Sequence, residues 1–363
     1  MIALAWAIVV FLTAQTAVMV WNIWYWVCRQ FVISDPEVTV SVLIPARNEL
    51  QSLPRLLAAL QAQTYRPAEI IICDDGSDDG LTEWLESHAG ENGATWFRAP
   101  EKPEGWIGKT WACHQLGQRA RGDWLLFLDA DTVPYPGFVR RLAGIMSDTP
   151  AQMVTAFPRL RPSDVVDGLL ECMVGYIVFT LIPLYLSEKP RHLRSAFANG
   201  QAIGFRREEY RHLWPHQEVR ASIVDDLELA REVKRRGHSV LLVEATADFE
   251  VRMYRNGWEA IDGFAKNSVS AAGGLWAALA QVPLVAFWWL LPPALAVSGA
   301  PWAMGVCGLT ALLFGMCAVL AGLPWWYGPC YPLAVLLGEF VLLRSIVWHL
   351  RGQVRWKGRA YRL

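Results

Sequence analysis

The sequence predicts an α/β domain with a Rossmann-like, mostly parallel sheet, flanked by N-terminal and C-terminal transmembrane helices. Three observations carry this. Charged residues are concentrated between about residue 29 and residue 270, while long flanking stretches carry almost none. Inside the charged stretch, short β-rich apolar runs alternate with helical patterns, the signature of a parallel sheet covered by helices. Three of those runs end in polar or acidic residues, at the carboxyl edge where such sheets bind ligands.

The flanks come first in chain order. Residues 2–27 form one uncharged apolar run, and roughly 20 such residues cross a hydrocarbon core. A cleaved signal peptide would want a basic start and small residues at its end. Here the first cation is Arg29 and the run ends in Trp and Tyr, so residues 1–28 are expected to be a permanent anchor. The positive-inside preference then puts the chain from residue 29 onward in the cytoplasm, most simply at a bacterial plasma membrane. From Leu275 to Trp348 a second apolar region follows, divided by Ser298-Gly299-Ala300-Pro301 and Gly322-Leu323-Pro324 into three segments. Within residues 275–350 we expect two or three spans. The basic tail, 351–363, carries Arg351, Arg355, Lys357, Arg359 and Arg362. One anchor plus three spans would put that tail outside, against the same preference. Either one segment does not cross or the tail tolerates the outside. Trp clusters at Trp21, Trp24 and Trp26, at Trp288 and Trp289, and at Trp325 and Trp326 suit headgroup-level anchoring. A net charge of −1 points away from nucleic acid. The seven Cys show no CxxC spacing, which argues against a zinc site or a disulfide framework.

The middle, residues 29–274, is expected to hold the chemistry. Val40 to Ala46, Glu69 to Cys73 and Trp124 to Leu128 are the strand-like runs. Leu50, Leu53, Leu57 and Leu60 recur on one helical face, and Lys109 to Arg121 is a second helix. The first run ends in Pro45-Ala46-Arg47-Asn48-Glu49, the second in Asp74-Asp75-Gly76-Ser77-Asp78-Asp79 and the third in Asp129-Ala130-Asp131. Asp, Asn, Gly and Ser are ordinary turn residues, which accounts for any one cluster alone. Two carboxylates crowded at one buried strand end repel unless a cation intervenes. Mg²⁺ or Mn²⁺ takes oxygen ligands and uses one or two carboxylates with substrate phosphates. Gly105-Trp106-Ile107-Gly108-Lys109-Thr110 opens a helix whose first N–H groups would attract phosphate, with Lys109 adding a point charge. The spacing is not that of a Walker loop. Asp225-Asp226 begins another helix, Leu227 to Arg236. A helix dipole favours acid there, though one Asp would suffice.

In this order, over about 230 residues, these motifs resemble the family 2 glycosyltransferases of GT-A fold. Gly105-Trp106-Ile107-Gly108-Lys109, Arg252-Met253-Tyr254 and Trp356-Lys357-Gly358-Arg359 look like its membrane-bound branch, which includes ceramide glucosyltransferases and bacterial hopanoid-associated or carotenoid-type lipid glycosyltransferases. The resemblance implies inverting transfer of a sugar from a nucleotide-sugar donor, UDP-glucose first among them, to a hydroxyl or carboxyl of a membrane lipid. It implies that Asp74 or Asp75 contacts the nucleotide base within a pocket formed by Pro45, Arg47 and Glu49. Asp129 would bind donor ribose or phosphate, or share the metal with Asp131. Asp226, beside Asp225, would be the general base. Lys109 and Arg252 would face the diphosphate. Processive synthases of the family carry QxxRW, and here the nearest match is Phe249-Glu250-Val251-Arg252-Met253, with neither Gln nor Trp. That disfavours the main rival, a polysaccharide synthase. An inactive membrane scaffold is the other.

Two segments are expected to lie at the membrane. Val165 to Leu186 is apolar but short for a span, and Phe179 and Leu184 within it would help admit the acceptor. In the helical stretch around 257–270, Trp258, Ile261, Phe264 and Ala265 share a face beside Lys266, an interfacial pattern. Trp106, Tyr254 and Trp258 complete the expected acceptor region.

Overall fold

The computed structural model of the chain describes residues 2–29, 31, 34–356 and 359–362. It forms two compact units. One comprises Cys28–Arg159 and Leu184–Val251, the other Met1–Val27, Leu160–Pro183 and Arg252–Leu363.

The first unit is built on ten strands: β1 (Val40–Ala46), β2 (Glu69–Asp74), β3 (Thr95–Arg98), β4 (Trp124–Leu128), β5 (Thr132–Pro134), β6 (Met153–Phe157), the short β7 (Arg159–Leu160) at the unit boundary, β8 (Ala202–Arg206), β9 (Val240–Glu244) and β10 (Phe249–Val251). Seven of them form one sheet in the order β3-β2-β1-β4-β8-β6-β9. β1 is parallel to β2 and β4, β2 to β3, and β6 to β9, while β8 runs antiparallel between β4 and β6. β1, β2 and β4 are buried along nearly their whole length, as a strand covered on both faces must be. Val42 and Ile44 pack on one face against Leu53, Leu56, Leu57 and Leu60 of the helix Leu53–Gln61. Leu43 and Phe127 pack on the other against Ala112 and Leu116 of the helix Gly108–Arg119. The expected leucine face exists, but Leu50 lies ahead of the helix. A small second sheet pairs β10 with β5, antiparallel.

The second unit consists mainly of helices. Among the described residues, four are long and apolar enough to cross a membrane: Ile2–Trp26, Leu275–Val297, Pro301–Leu320 and Tyr331–Leu350. The helix Val165–Leu181 belongs to this unit and ends before Pro183. Residue 183 cannot supply the N–H that the Phe179 carbonyl would take in a continuing helix. Asn22, fully buried in the N-terminal helix, supplies it: its Nδ2 donates to the carbonyls of Phe179 and Ile182, each at 2.8 Å. The helix Gly257–Ala272 is capped by the Asn256 side chain, which accepts from the Glu259 N–H at 3.0 Å. Ala260, Ile261 and Ala265 pack it against Leu170 and Val341, with Phe264 partly buried there. Trp258 does not share that buried face and is 71% exposed. The tail forms a hairpin of Gln353–Trp356 and Arg359–Arg362; Lys357 and Gly358, part of a motif that suggested the lipid-modifying branch, lie outside the described residues.

Candidate active site

The loops after β1 and β2 are laced together. Asn48 adopts a left-handed conformation, φ 54°, which asparagine tolerates better than most residues. Its N–H donates to Ser77 Oγ and its Oδ1 accepts from the Asp78 N–H, both at 2.9 Å. Asp79 Oδ2 accepts from the Leu50 N–H at 2.9 Å. Asp74 is completely buried, and its oxygens are taken within the loop: Oδ1 by the Ser77 N–H and hydroxyl at 2.9 and 2.6 Å, Oδ2 by the Thr82 hydroxyl at 2.6 Å. The expectation that Asp74 or Asp75 meets a nucleotide is therefore corrected for Asp74, which builds the turn. Asp75 remains, with Arg47 Nη1 donating to its carbonyl at 2.9 Å and lying 3.9 Å from its carboxylate. Burial raises the Asp75 pKa, opposed by Arg47 and Lys102. Pro45, near the end of β1, and Glu49, in the loop that follows, are half-buried.

The second half of the site joins the ends of β4, of the helix Gly108–Arg119 and of the helix Asp225–Arg235. Asp129 follows β4, and its N–H donates to the Gln201 carbonyl at 3.0 Å. Asp131 occupies the turn into β5. Lys109, in the first turn of its helix, reaches Asp129 with Nζ 2.8 Å from Oδ1 and 2.9 Å from Oδ2, and stands 4.0 Å from Asp225. Burial pulls the Lys109 pKa down, but Asp129 and Asp225 outweigh it and hold the ammonium well above its usual value. The charge crowded at the strand end is thus met at Asp129 by a lysine.

Asp225 and Asp226 open their helix two residues earlier than the apolar pattern indicated. Burial, then the like charge of Asp225, push the Asp226 pKa up to about 6. Asp226 also packs on Gly200, where a β-carbon would sit 3.3 Å from its Oδ2. The loop before β8 can approach Asp226 this closely because it carries no side chain there. Sequence reasoning missed Gly200, since its significance comes from the antiparallel pairing of β8 with β4. It also missed His216, buried beside this group, whose Nδ1 lies 2.8 Å from the Tyr210 hydroxyl and whose pKa burial lowers to about 3. Trp106 lies in a ring cluster with Trp111, His114 and, through His114, Trp214. The Arg220 carbonyl ties down that loop, accepting from the Ile107 N–H at 2.8 Å and the Thr110 hydroxyl at 2.9 Å.

The expected ligands, Asp129 and Asp131, offer carboxylate oxygens of the kind a hard divalent cation takes. Among the described residues no three acidic, His or Cys side chains converge closely enough to hold an ion unaided. That fits a site completed by substrate phosphates. Arg252, Phe179, Tyr254 and Trp258 belong to the helical unit. Phe179 and Leu184 are 1% and 0% exposed, so the expectation that they admit an acceptor is corrected: both are core. Tyr254 is also buried, its ring against Gly263 and Phe264.

Comparison with known proteins bears on this arrangement. Residues 41–214 match the model of the family described as glycosyl transferase family 2. The chain is 28% identical over 236 residues to a 4,4'-diaponeurosporenoate glycosyltransferase of Staphylococcus haemolyticus, covering 63% of this chain and 60% of that one. It is 24% identical over 243 residues to the protein of that name from Staphylococcus aureus strain USA300, covering 65% and 62%. The chain thus spans somewhat under two thirds of the length of the curated relatives it matches. Among solved structures, the mannosyltransferase PcManGT of Pyrobaculum calidifontis, in complex with GDP-Man and Mn²⁺, superposes with a TM-score of 0.60 at 17% identity, covering 96% of this chain and 98% of that one. This likeness concerns the fold. Laced rim loops, a mostly parallel sheet and the family match converge on one conclusion: residues 41–214 match glycosyl transferase family 2, and the chain has the GT-A fold.

Proposed function

We propose that the protein transfers a sugar from a nucleotide-sugar donor to a membrane lipid, inverting the anomeric centre, with Asp226 as general base. One observation carries the reading: a carboxylate held at about 6 stands beside a lysine–aspartate pair at the carboxyl edge of a parallel sheet. A base with a pKa near the working pH combines adequate basicity with adequate ionisation. Asp226 takes the acceptor proton as that oxygen attacks, an assistance worth about 10²- to 10⁴-fold. Asp75 and Arg47 meet the nucleotide, with Pro45 and Glu49 shaping its pocket. Lys109 places a positive charge toward the diphosphate.

Asp131 and Asp129 would hold a divalent ion, Mg²⁺ or Mn²⁺, which when bound stabilises charge on a departing diphosphate. The Mn²⁺ named with PcManGT supports this choice. The names of the staphylococcal relatives support a carotenoid-type or other lipid acceptor, and the four apolar helices support residence in a membrane, with the catalytic domain on the cytoplasmic face. UDP-glucose is the first donor to try. On this reading the domains are an anchor at 1–28, the transferase at 29–274 and spans within 275–350.

Membranes containing the protein, incubated with radiolabelled nucleotide sugars and extracted with organic solvent, should yield one labelled glycolipid. Label retained in a polymer would favour a polysaccharide synthase instead. Asp226→Asn should abolish lipid labelling, and a fully active variant would end the assignment.

A further inference from the structure

The helical unit contains a polar anomaly that the reaction does not use. Glu171, in the middle of the helix Val165–Leu181, is 1% exposed, and neither carboxylate oxygen has a hydrogen-bond partner. One turn earlier on the same face lies Asp167, completely buried. Its Oδ2 accepts from the Ser163 N–H at 2.8 Å and hydroxyl at 3.0 Å, while Oδ1 has no partner. Three buried oxygens of these two carboxyl groups, one helical turn apart, therefore lack a hydrogen-bond partner. Native interiors rarely leave such groups unmatched, because each costs about 1–3 kcal/mol.

The nearby charges do not resolve the anomaly. Asp164 is occupied as the helix cap: Oδ1 accepts from the Asp167 N–H at 3.0 Å and Oδ2 from the Gly257 N–H at 2.6 Å. Arg252 acts electrostatically on Asp167. Burial, and after it the charge of Asp167, push the Glu171 pKa well up, which favours the protonated carboxyl. Tyr327 covers the pair. Its hydroxyl presses on Gly168, where a β-carbon would lie 2.1 Å away, and burial, with the neighbouring acids adding to it, pushes its phenol up to about 12.

Tyr327 stands on the short loop Trp325–Tyr327, and the same loop walls an apolar groove. Trp325 and Pro329 line it with Ile23, Gly308, Gly315 and Met316, enclosing about 500 Å³. Gly308 opens onto empty space. One loop thus separates an apolar trough from a carboxylic acid that lacks a partner.

We propose that this unit binds the alcohol end of a long-chain amphiphile, its hydroxyl paired with Glu171 and Asp167 and its chain in the groove, as a holding site for an alcohol rather than an acid. A hydroxyl donates and accepts, as a neutral carboxyl does, and fills the unmatched positions. Tyr327 is the group it displaces on entry. A carboxylate would add negative charge beside Asp167 and is disfavoured. A divalent cation fits less well, since two carboxyls stand there without a third ligand side chain among the described residues. The inference rests on the proposed lipid acceptor, but its test needs no turnover.

The test uses the full chain in phosphatidylcholine nanodiscs with tritiated hexadecanol, hexadecyl methyl ether and hexadecanoate, against empty nanodiscs. Saturable hexadecanol binding about tenfold tighter than the ether is expected, with hexadecanoate weakest. In Glu171→Leu the alcohol and the ether should bind alike. Removal of an unpaired buried acid should raise Tm in that variant, which also shows that it is folded. Gly308→Leu should weaken hexadecanol and leave octanol unchanged. Equal binding of alcohol and ether by the wild type, uptake no greater than by empty nanodiscs, or discrimination surviving in Glu171→Leu would each overturn the proposal. So would stoichiometric ⁵⁴Mn²⁺ binding that Glu171→Gln abolishes, which would make the pair a cation site. If Asp226 is not the base, Asp226→Asn keeps transferring sugar, and this binding is unaffected.

Discussion

Raising the pH through about 6 should switch transfer on, and two substitutions should move that switch in opposite directions. Burial first and Asp225 second hold the Asp226 pKa at about 6, against ~3.9 for an ordinary aspartate. A base acts only when deprotonated, so about one tenth of the plateau rate is expected at pH 5 and about nine tenths at pH 7. Asp225→Asn removes a like charge and should shift the acid limb down. Because burial is the larger cause, the limb should stop above the ordinary aspartate value. Lys109→Met removes an attractive charge and should shift the limb up, whatever it does to the plateau. The assay is the initial rate of labelled sugar transfer to extracted lipid, at saturating donor, across about pH 4.5–8.5. A wild-type limb near 4, or both variants moving the limb the same way, would refute the reasoning. The shift also has a sign for stability. Asp226 is raised in the folded state, so the stability it contributes is complete below about 4 and lost as pH rises through about 6. Asp226→Asn should therefore have the higher Tm at pH 8, and the difference should close toward pH 4.

Other outcomes follow from individual contacts. Asp131→Asn should lose metal-dependent turnover while its circular dichroism and Tm stay near wild type; undiminished turnover would remove Asp131 from the metal site. Thr82→Ala takes one hydrogen bond from the buried Asp74 carboxylate and should cost about 1.5–3 kcal/mol in urea unfolding of the protein. Asn22→Leu leaves the carbonyls of Phe179 and Ile182 without their donor and should cost about 1–3 kcal/mol for each, seen as a lower detergent-titration midpoint.

Much of the site was legible in the sequence because strand ends have a chemical signature. The three apolar runs became β1, β2 and β4 nearly residue for residue, since a strand buried on both faces must be continuously apolar. The polar residues following them then share one edge by topology. Helix starts were less legible. Asp225 and Asp226 lie inside their helix because a first turn accommodates acid, while an apolar pattern registers only at Leu227. The distinction between Asp74 and Asp75 was invisible. Both are acids in one turn, and only the positions of Ser77 and Thr82 show that one is consumed within the loop.

By itself the sequence determined which segments are apolar enough to leave water, which segments pair into a sheet, and which acids lie at its edge, because these depend on local composition and period. Tertiary structure alone decided what those acids do. Lys109 meets Asp129 across 20 residues, Gly200 meets Asp226 through an antiparallel strand, and Asn22 completes a helix more than 150 residues away. Such partnerships set charge, burial and pKa, and those quantities depend on distances in space that spacing along a chain does not encode.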